Sequence, residues 1–345
     1  MTTLKDISQK TGYSITTISR ALNGYSDIGT DTIKKVRDVA LEMGYIANAS
    51  ARSLKTRKSW TIGVIFDEHS GIGLRHPLFA NVLEEFKKAV EYEGYDVLFI
   101  TRQKGKKPTT SFYNHAIEKS VDGVFVLCTD YQSSEYQELA KSNIPTVVLD
   151  HLSNNIYNIA SDNRSSIADV INHLKDLGHT KIAHIFGDPL NFAGLKRREH
   201  FISSMLLQDL DVRSDFLVEG TTYTTEEGYA AMKVLLSIED KPTAVFCAGD
   251  MLAIGAIRAI EDAGLKCPDD VSVVGFDGID LGDYITPKLT TVKQKTKSMG
   301  RTSADYLINI IDGVIKNVAK TVYIDTELVI KESTKLLNTI SVKYK

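Results

Sequence analysis

Apolar residues recur three and four positions apart in three short stretches at the start of the chain, then regroup into short continuous runs further on. In the first stretch Leu4 and Ile7 share a face. In the second, Ile18, Ala21 and Leu22 form a helical stripe, and from Thr30 to Met43 the residues Ile33, Val36, Val39, Ala40 and Met43 lie on one side. The spacing predicts two short helices within residues 4–23 joined at Gly12, and a third stopped by Gly44. Thr3 is placed to cap the first helix, with Asp6 three residues on as a short-armed capping box, and Ser14 to cap the second. The second helix is left with Ile15, Thr16, Thr17 and Arg20 on its outer face. A helix of this kind fits the major groove of DNA, where Arg suits the two acceptors of guanine. The same pattern also fits any small helical hairpin.

From Trp60 the pattern changes. Runs such as TIGVIF, DVLFI, VDGVFVL, TVVLD, KIAHIFG, TAVFC and VSVVGFD alternate with helical segments, two of which end at Gly178 and Gly264. Continuous apolar strands are buried on both faces, as in parallel doubly wound sheets, and 345 residues leave room for two such sheets side by side. The fold class is therefore a small all-α helix-turn-helix headpiece followed by an α/β core of two doubly wound parallel-sheet lobes. Ligands in open parallel sheets bind beyond the carboxyl ends of the strands, which here carry Asp130, Asp150, Asp250 and Asp277.

Between the two regions, residues 48–60 (NASARSLKTRKSW) are polar and basic apart from Ala49, Ala51, Leu54 and Trp60. A helix this short needs a partner to be ordered. Against a minor groove, Leu54 would serve as an apolar wedge. By composition alone the stretch reads as a flexible linker rather than as a helix.

Charge sharpens the division. The chain is net −3, yet residues 1–60 hold ten Lys or Arg against five Asp or Glu, a local +5 that leaves −8 on the remainder. Electrostatic attraction for DNA is thus confined to one end. Overall composition, 43% hydrophobic and 25% charged, is that of an ordinary globular protein. No apolar run approaches the roughly 20 residues that span a bilayer, and no secretory segment is evident, so a cytoplasmic protein is expected. Cys128, Cys247 and Cys267 are odd in number and widely spaced, which suits buried thiols.

Enzyme signatures are missing: there is no GxxxxGK[ST] loop, GxSxG elbow or HExxH, and Gly71 and Gly73 lack the third glycine of a dinucleotide fingerprint. His173, His179 and His184 are spaced for a helix, the residue past its terminal glycine and the next strand, which does not suit a metal site. No catalytic residue, metal or cofactor is expected.

Residues 3–60 resemble the headpiece and hinge of the LacI/GalR family of repressors, in T-L-K-D-I-S, T-T-I-S-R-A-L-N, E-M-G-Y and N-A-S-A-R-S-L-K. The core resembles the same family in SDNRSS (161–166), HLKDLGHTKIAHIFG (173–187), FCAGDMLAIGAIRAIEDAGLKCPDDVSVVGFDG (246–278) and PKLTTVKQ (287–294). The resemblance implies base reading by Ile15, Thr16 and Arg20, phosphate contacts from Ser14, Thr17 and Asn23, and a paired hinge that inserts Leu54 flanked by Ala51 and Lys55. It also implies a periplasmic-binding-protein-like core with a small-molecule effector between its lobes. Arg197 and Asp277 would face each other across the cleft, Tyr223 would meet a ring face, and His76, Phe79, Asp130 and Asn191 would complete the pocket. Where many members have Asn before the Asp of C-A-N-D, this chain has Gly249, from which a roomier pocket is expected, while Asp250 is expected to cap the helix that follows.

The domain expectation is a headpiece over 1–46 and a hinge over 47–60. An N-terminal lobe would follow from 61–161 plus 292–322, a C-terminal lobe from 162–291 plus 323–338, and a tail over 339–345, with changeovers near 161, 291 and 323. The functional expectation is a transcriptional repressor of carbohydrate-utilisation genes that acts as a homodimer or tetramer on a palindromic double-stranded operator and is switched by a sugar or sugar derivative. The alternatives on the same core are a solute-binding protein or a purine-responsive regulator.

Overall fold

The computed structural model describes residues 2–22, 24–45, 58–68, 73–102, 110–151, 156–188, 192–316, 318 and 320–337. It divides into two units, Met1–Ser59 and Trp60–Lys345.

The first unit holds α1 (Leu4–Thr11), α2 (Ile15–Leu22) and α3 (Thr30–Glu42). The capping box forms: Asp6 N donates to the Thr3 hydroxyl at 3.3 Å, and Thr3 N donates to the Asp6 carboxylate at 2.8 Å. Gly12 turns the chain at φ 78°, a conformation that costs a residue with a side chain more. Thr17 N then donates to Ser14 Oγ at 3.1 Å, so Ser14 starts α2 as expected. The apolar stripes meet in one core, with Ile7, Ile18, Ala21 and Val36 sealed from solvent. Met43 follows the last residue of α3 as its C-cap, and Gly44 turns away at φ 60°.

The second unit is built on two six-stranded sheets. One contains β1 (Thr61–Phe66), β2 (Asp96–Phe99), β3 (Gly123–Cys128), β4 (Thr146–Leu149), β5 (Tyr157–Ser161) and β11 (Lys320–Ile324), in the order β11-β5-β4-β3-β1-β2. The other contains β6 (Ile182–Phe186), β7 (Leu217–Glu219), β8 (Ala244–Cys247), β9 (Ser272–Asp277), β10 (Thr290–Gln294) and β12 (Thr326–Val329), in the order β12-β10-β9-β8-β6-β7. All described pairings are parallel except β10 with β12. Helices α4 (Pro77–Tyr92), α5 (Phe112–Glu118), α6 (Ser134–Ala140) and α11 (Thr296–Ile311) belong with the first sheet. Helices α7 (Asn163–Asp176), α8 (Phe192–Leu207), α9 (Thr225–Ser237) and α10 (Asp250–Asp262) belong with the second.

The chain changes sheet three times, at Asp162, Lys295 and Asp325. The sequence placed the second and third changes near 291 and 323, but the strands run on to Gln294 and Ile324 before crossing. Asp162 N donates to Ile324 O at 2.9 Å, tying the first crossing to the third.

Candidate functional site

Each of the parallel strands β4, β5, β6, β8, β9 and β10 delivers a residue at or just past its carboxyl end, and these residues converge. Arg197, on α8 and 3% exposed, is the centre. Its Nε donates to Asn163 Oδ1 at 3.1 Å and its Nη1 to Ala248 O at 2.6 Å, while Nη1 stands 3.8 Å from Asp277 Oδ1. The guanidinium lies over the Phe276 ring, 3.8 Å from its centroid, a cation–π contact that also holds the group flat. Its Nη2 carries no hydrogen bond among the described residues.

Asp277 ends β9. Its Oδ1 accepts from Gln294 Nε2 at 2.7 Å, and Gln294 Oε1 in turn accepts from Ser161 Oγ at 2.5 Å. Ser161 and Gln294 end the strands that lead into the first two crossings, so a buried hydrogen-bonded chain runs from the interlobe connection to the Asp277 carboxylate. Ser161 N donates to Asp150 Oδ1 at 3.3 Å, which draws a second carboxylate into the same cluster.

Burial raises the Asp277 carboxyl above the ordinary aspartate value. The positive field of Arg197 and His76 and the hydrogen bond from Gln294 pull it part of the way back. Asp150 is pushed up to about 6 by burial, with Arg197 opposing. Asp250 is pushed up to about 8, first by burial and then by the charge of Asp277. Asp250 and Asp277 cannot both ionise cheaply in a dry site, so burial and the Asp277 charge together keep the Asp250 carboxyl protonated at neutral pH.

Asp250 corrects an expectation. It is not the cap of its helix: Gly249 holds that position without a side-chain hydrogen bond, and Asp250 is the first helical residue, fully buried. Its two oxygens accept from Thr291 Oγ1 at 2.6 Å and Ile279 N at 2.8 Å, which clamps the segment after β9 to β10.

Gly249 brings a second correction. A Cβ at this position would stand 3.0 Å from Tyr223 Cδ1 and 3.5 Å from Asp277 Oδ2. At Gly187, just past β6, it would meet the Tyr223 hydroxyl at 1.8 Å and Cζ at 2.0 Å. The tyrosine ring therefore lies across two side-chain-free positions on neighbouring strands. The space that glycine opens is filled from within the chain, and the roomier pocket expected from the sequence does not result.

Backbone strain gathers at the same place. Six described non-glycine residues have positive φ, and Asp150 (46°), Tyr223 (55°) and Asp277 (119°) are three of them. Such conformations cost of order 1–3 kcal/mol each and tend to persist where function needs them.

The other expected site residues divide. His76, at the start of α4, is 8% exposed, its Nδ1 has no hydrogen bond among the described residues, and its field reaches Asp277 from the other lobe. Phe79 packs 5.3 Å from the rings of both His76 and Phe66, so it backs His76 and forms part of the first lobe's core. Asp130 is exposed, and its hydrogen bonds are local, with Gln132 N and Ser133 closing the turn before α6. Asn191 lies outside the described residues. Asn163, Ser161 and Gln294 were not singled out as site residues by sequence reasoning. The signal for them was weak: polar residues at strand ends within the motifs SDNRSS and PKLTTVKQ.

In the first unit Ile15 is 48% exposed at the start of α2, and Thr16 and Arg20 are exposed beside it. An apolar side chain left outward on a basic unit marks a contact face. Ser14 Oγ and Thr17 Oγ1 are 2.8 Å apart and bound to each other. Asn23, Ala51, Leu54 and Lys55 lie outside the described residues.

The histidines have structural partners. His173 bonds Thr334, His179 bonds Thr243 and Lys335 O, and His184 is stacked between Phe201 and Phe246. Burial lowers the His184 imidazole to about 3, so it stays neutral. No helix among the described residues is long and apolar enough to cross a membrane.

Comparison with known proteins places this geometry in a family. Residues 3–48 match the bacterial regulatory proteins of the lacI family, and residues 171–334 match a periplasmic binding protein-like domain. The probable HTH-type transcriptional repressor ExuR of Bacillus subtilis (strain 168) is 33% identical over 98% of this chain and 100% of its own length. The HTH-type transcriptional repressor PurR of Actinobacillus pleuropneumoniae serotype 3 (strain JL03) is 30% identical over 98% and 100%. Among solved structures, the lac repressor dimer bound to operator and the anti-inducer ONPF is similar with a TM-score of 0.84 at 26% identity, over 97% of this chain and 99% of that one. The complex of the transcriptional regulator CelR with cellobiose has a TM-score of 0.71 at 25% identity, over 96% and 100%. The chain belongs to the lacI family of bacterial regulatory proteins and is a DNA-binding transcriptional repressor, not an enzyme.

Proposed function

We propose that this repressor controls carbohydrate-utilisation genes from the cytoplasm and that a sugar or sugar derivative, bound against Arg197 and Asp277, switches its operator affinity. The observation that carries the reading is the Arg197–Asp277 arrangement. A guanidinium anchored by Asn163 and Ala248 keeps Nη2 free of hydrogen bonds among the described residues, beside a carboxylate whose Oδ1 is already engaged by Gln294. A donor and an acceptor side by side suit two adjacent hydroxyls, and charged partners strengthen both hydrogen bonds. Tyr223 offers the ring face beside them, with His76 and Phe79 contributed by the other lobe. The likeness to a regulator solved with cellobiose supports the sugar class.

At the DNA end, Ile15, Thr16 and Arg20 read bases from α2, and Ser14, Thr17 and Asn23 hold phosphates. The hinge residues Ala51, Leu54 and Lys55 meet the minor groove when two chains pair. One headpiece reads one half-site, so the active form is a homodimer on a palindrome, as the lac repressor dimer on its operator supports. Alternative ligands come from the purine class, in line with the relatives named PurR.

The test is thermal unfolding of the full chain against a panel of neutral sugars, sugar phosphates, sugar acids and purine bases, because a ligand of the folded state raises the melting point by mass action. A shift with a sugar, lost in Asp277→Asn, is expected. A shift with purines alone, or one that survives Asp277→Asn, overturns the assignment.

A further inference from the structure

The candidate base reader Arg20 does not stand alone. Its Nη2 is 2.5 Å from Asp27 Oδ2, and its guanidinium carbon lies 5.1 Å from the centre of the Tyr25 ring. Both partners come from the loop between α2 and α3. That loop is folded back on the helix end by Tyr25 N donating to Arg20 O at 3.1 Å and Gly24 N donating to Ala21 O at 3.2 Å. The Arg20 and Asp27 side chains are 44% and 49% exposed, and Asp27 has no other hydrogen bond or ion pair among the described residues. An acidic residue thus sits on the recognition face of a unit whose charge is otherwise built for polyanion binding.

We propose that Asp27 is a positioning and specificity-determining residue for operator recognition, acting through Arg20; the proposal rests on the reading of Arg20 as a base-contacting residue. An unrestrained arginine on this face would pair with any phosphate it met, which raises affinity for all DNA and discriminates nothing. Asp27 holds Nη2 from one edge of the guanidinium and Tyr25 flanks the plane, so the other forked edge, made by the second Nη2 N–H and its neighbouring nitrogen, is kept for a base edge. Less rotamer freedom is then lost when the fork docks on guanine. The carboxylate also repels the backbone phosphates, and that penalty falls on every sequence, while only the correct base pair returns the two-pronged contact. Specificity is gained by weakening the wrong complexes more than the right one.

The experiment uses the full-length chain and its preferred site, selected from a randomised double-stranded DNA library. Affinities for that site, its single-base variants and random duplex are measured by fluorescence anisotropy over a salt series. Asp27→Asn is expected to raise affinity for random duplex about 1.5-fold to fivefold, the scale of one exposed charge interaction. It should lower discrimination at one base pair of each half-site by a similar factor and steepen the salt dependence by up to about one in slope. Asp27→Glu should restore the discrimination. Arg20→Ala should lose preference at the same base pair, with no further loss when Asp27→Asn is added. If Arg20→Ala relaxes that base pair and Asp27→Asn does not, the inference fails while the reading of Arg20 stands. If neither variant changes base preference, both fail. A uniform loss of affinity on all sequences, with a lower headpiece melting point, would reduce Asp27 to a structural role and also overturn the proposal.

Discussion

Gly249→Ala probes the most specific feature of the candidate site, the tyrosine ring laid over glycine. The backbone at Gly249 is extended, with φ −157°, so alanine meets no backbone strain there. The steric effect is therefore isolated. The new methyl would stand 3.0 Å from Tyr223 Cδ1 and 3.7 Å from Cε1, tight enough that the ring must shift by a fraction of an ångström. The ring has little room to retreat, because its other end lies over Gly187 and its backbone is held at φ 55°. Overpacking of this sort costs about 1–3 kcal/mol. Replacing glycine returns about 0.4–1 kcal/mol by restricting the unfolded chain. The net expectation is a loss of roughly 0.5–2 kcal/mol. In a Tyr223→Ala background the clash disappears and only the gain remains, so the two substitutions should be coupled by about 1–3 kcal/mol. Urea unfolding followed by tryptophan fluorescence suits the measurement, since the chain's single tryptophan, Trp60, belongs to the core unit and not to the headpiece. Equal effects of Gly249→Ala in both backgrounds would refute the packing argument.

Three further outcomes follow from the cluster. Arg197→Met removes the cation beside Asp277 and the donors to Ala248 O and Asn163, and should cost about 3–5 kcal/mol in urea unfolding because a buried carboxyl loses its compensation; a loss below about 1 kcal/mol would mean the site is wetter than described. Asp250 is held at about 8 in the fold against an ordinary 3.8, so the folded state binds its proton more tightly, and the stability it contributes is complete below about pH 4 and lost as pH rises through about 8. Asp250→Asn should therefore flatten the decline in urea midpoint between about pH 6 and pH 8, and an unchanged slope would place the titration elsewhere. Ser161→Ala releases the Gln294 amide, and should weaken ligand-induced melting shifts while leaving operator affinity without ligand unaltered; identical shifts would show that Gln294 needs no help in orienting towards Asp277.

The headpiece was legible almost residue by residue because it is governed by local rules. Helical spacing sets Ile7, Ile18 and Val36 in one core, and short-range hydrogen bonds from Thr3 and Ser14 set the helix starts. The strands with unbroken apolar runs were legible for the same reason. Strand β5, Tyr157–Ser161, was not, because Asn158 and Ser161 interrupt its pattern. The Asn158 side-chain carbonyl accepts from His151 N and the Ser161 hydroxyl donates to Gln294, partners 7 and 133 residues away, which no local reading supplies. Strands β10 and β11 extend past the expected changeovers for a related reason: their ends are fixed by pairing with strands distant in sequence.

Within the candidate site, Arg197, Asp277 and Tyr223 came from the family resemblance, and strand-end logic pointed to Asp150 and Asp250 without revealing what they do. Sequence alone suggested that Gly249 enlarges the pocket. The opposite outcome depends on where a ring 26 residues earlier in the chain comes to rest, a tertiary fact with no signature in local spacing.

A ligand bound at Arg197 and Asp277 should change how tightly the headpieces hold an operator. This coupling is tested most directly by titrating the full chain onto its selected operator with and without the compound that gives the largest melting shift, for the wild type and for Asp277→Asn. The expected result is at least a fivefold change in operator affinity for the wild type, about 1 kcal/mol of coupling, and none for a variant that still binds the operator as well as the unliganded wild type. An operator affinity that ignores the compound, or that responds equally in Asp277→Asn, would contradict it.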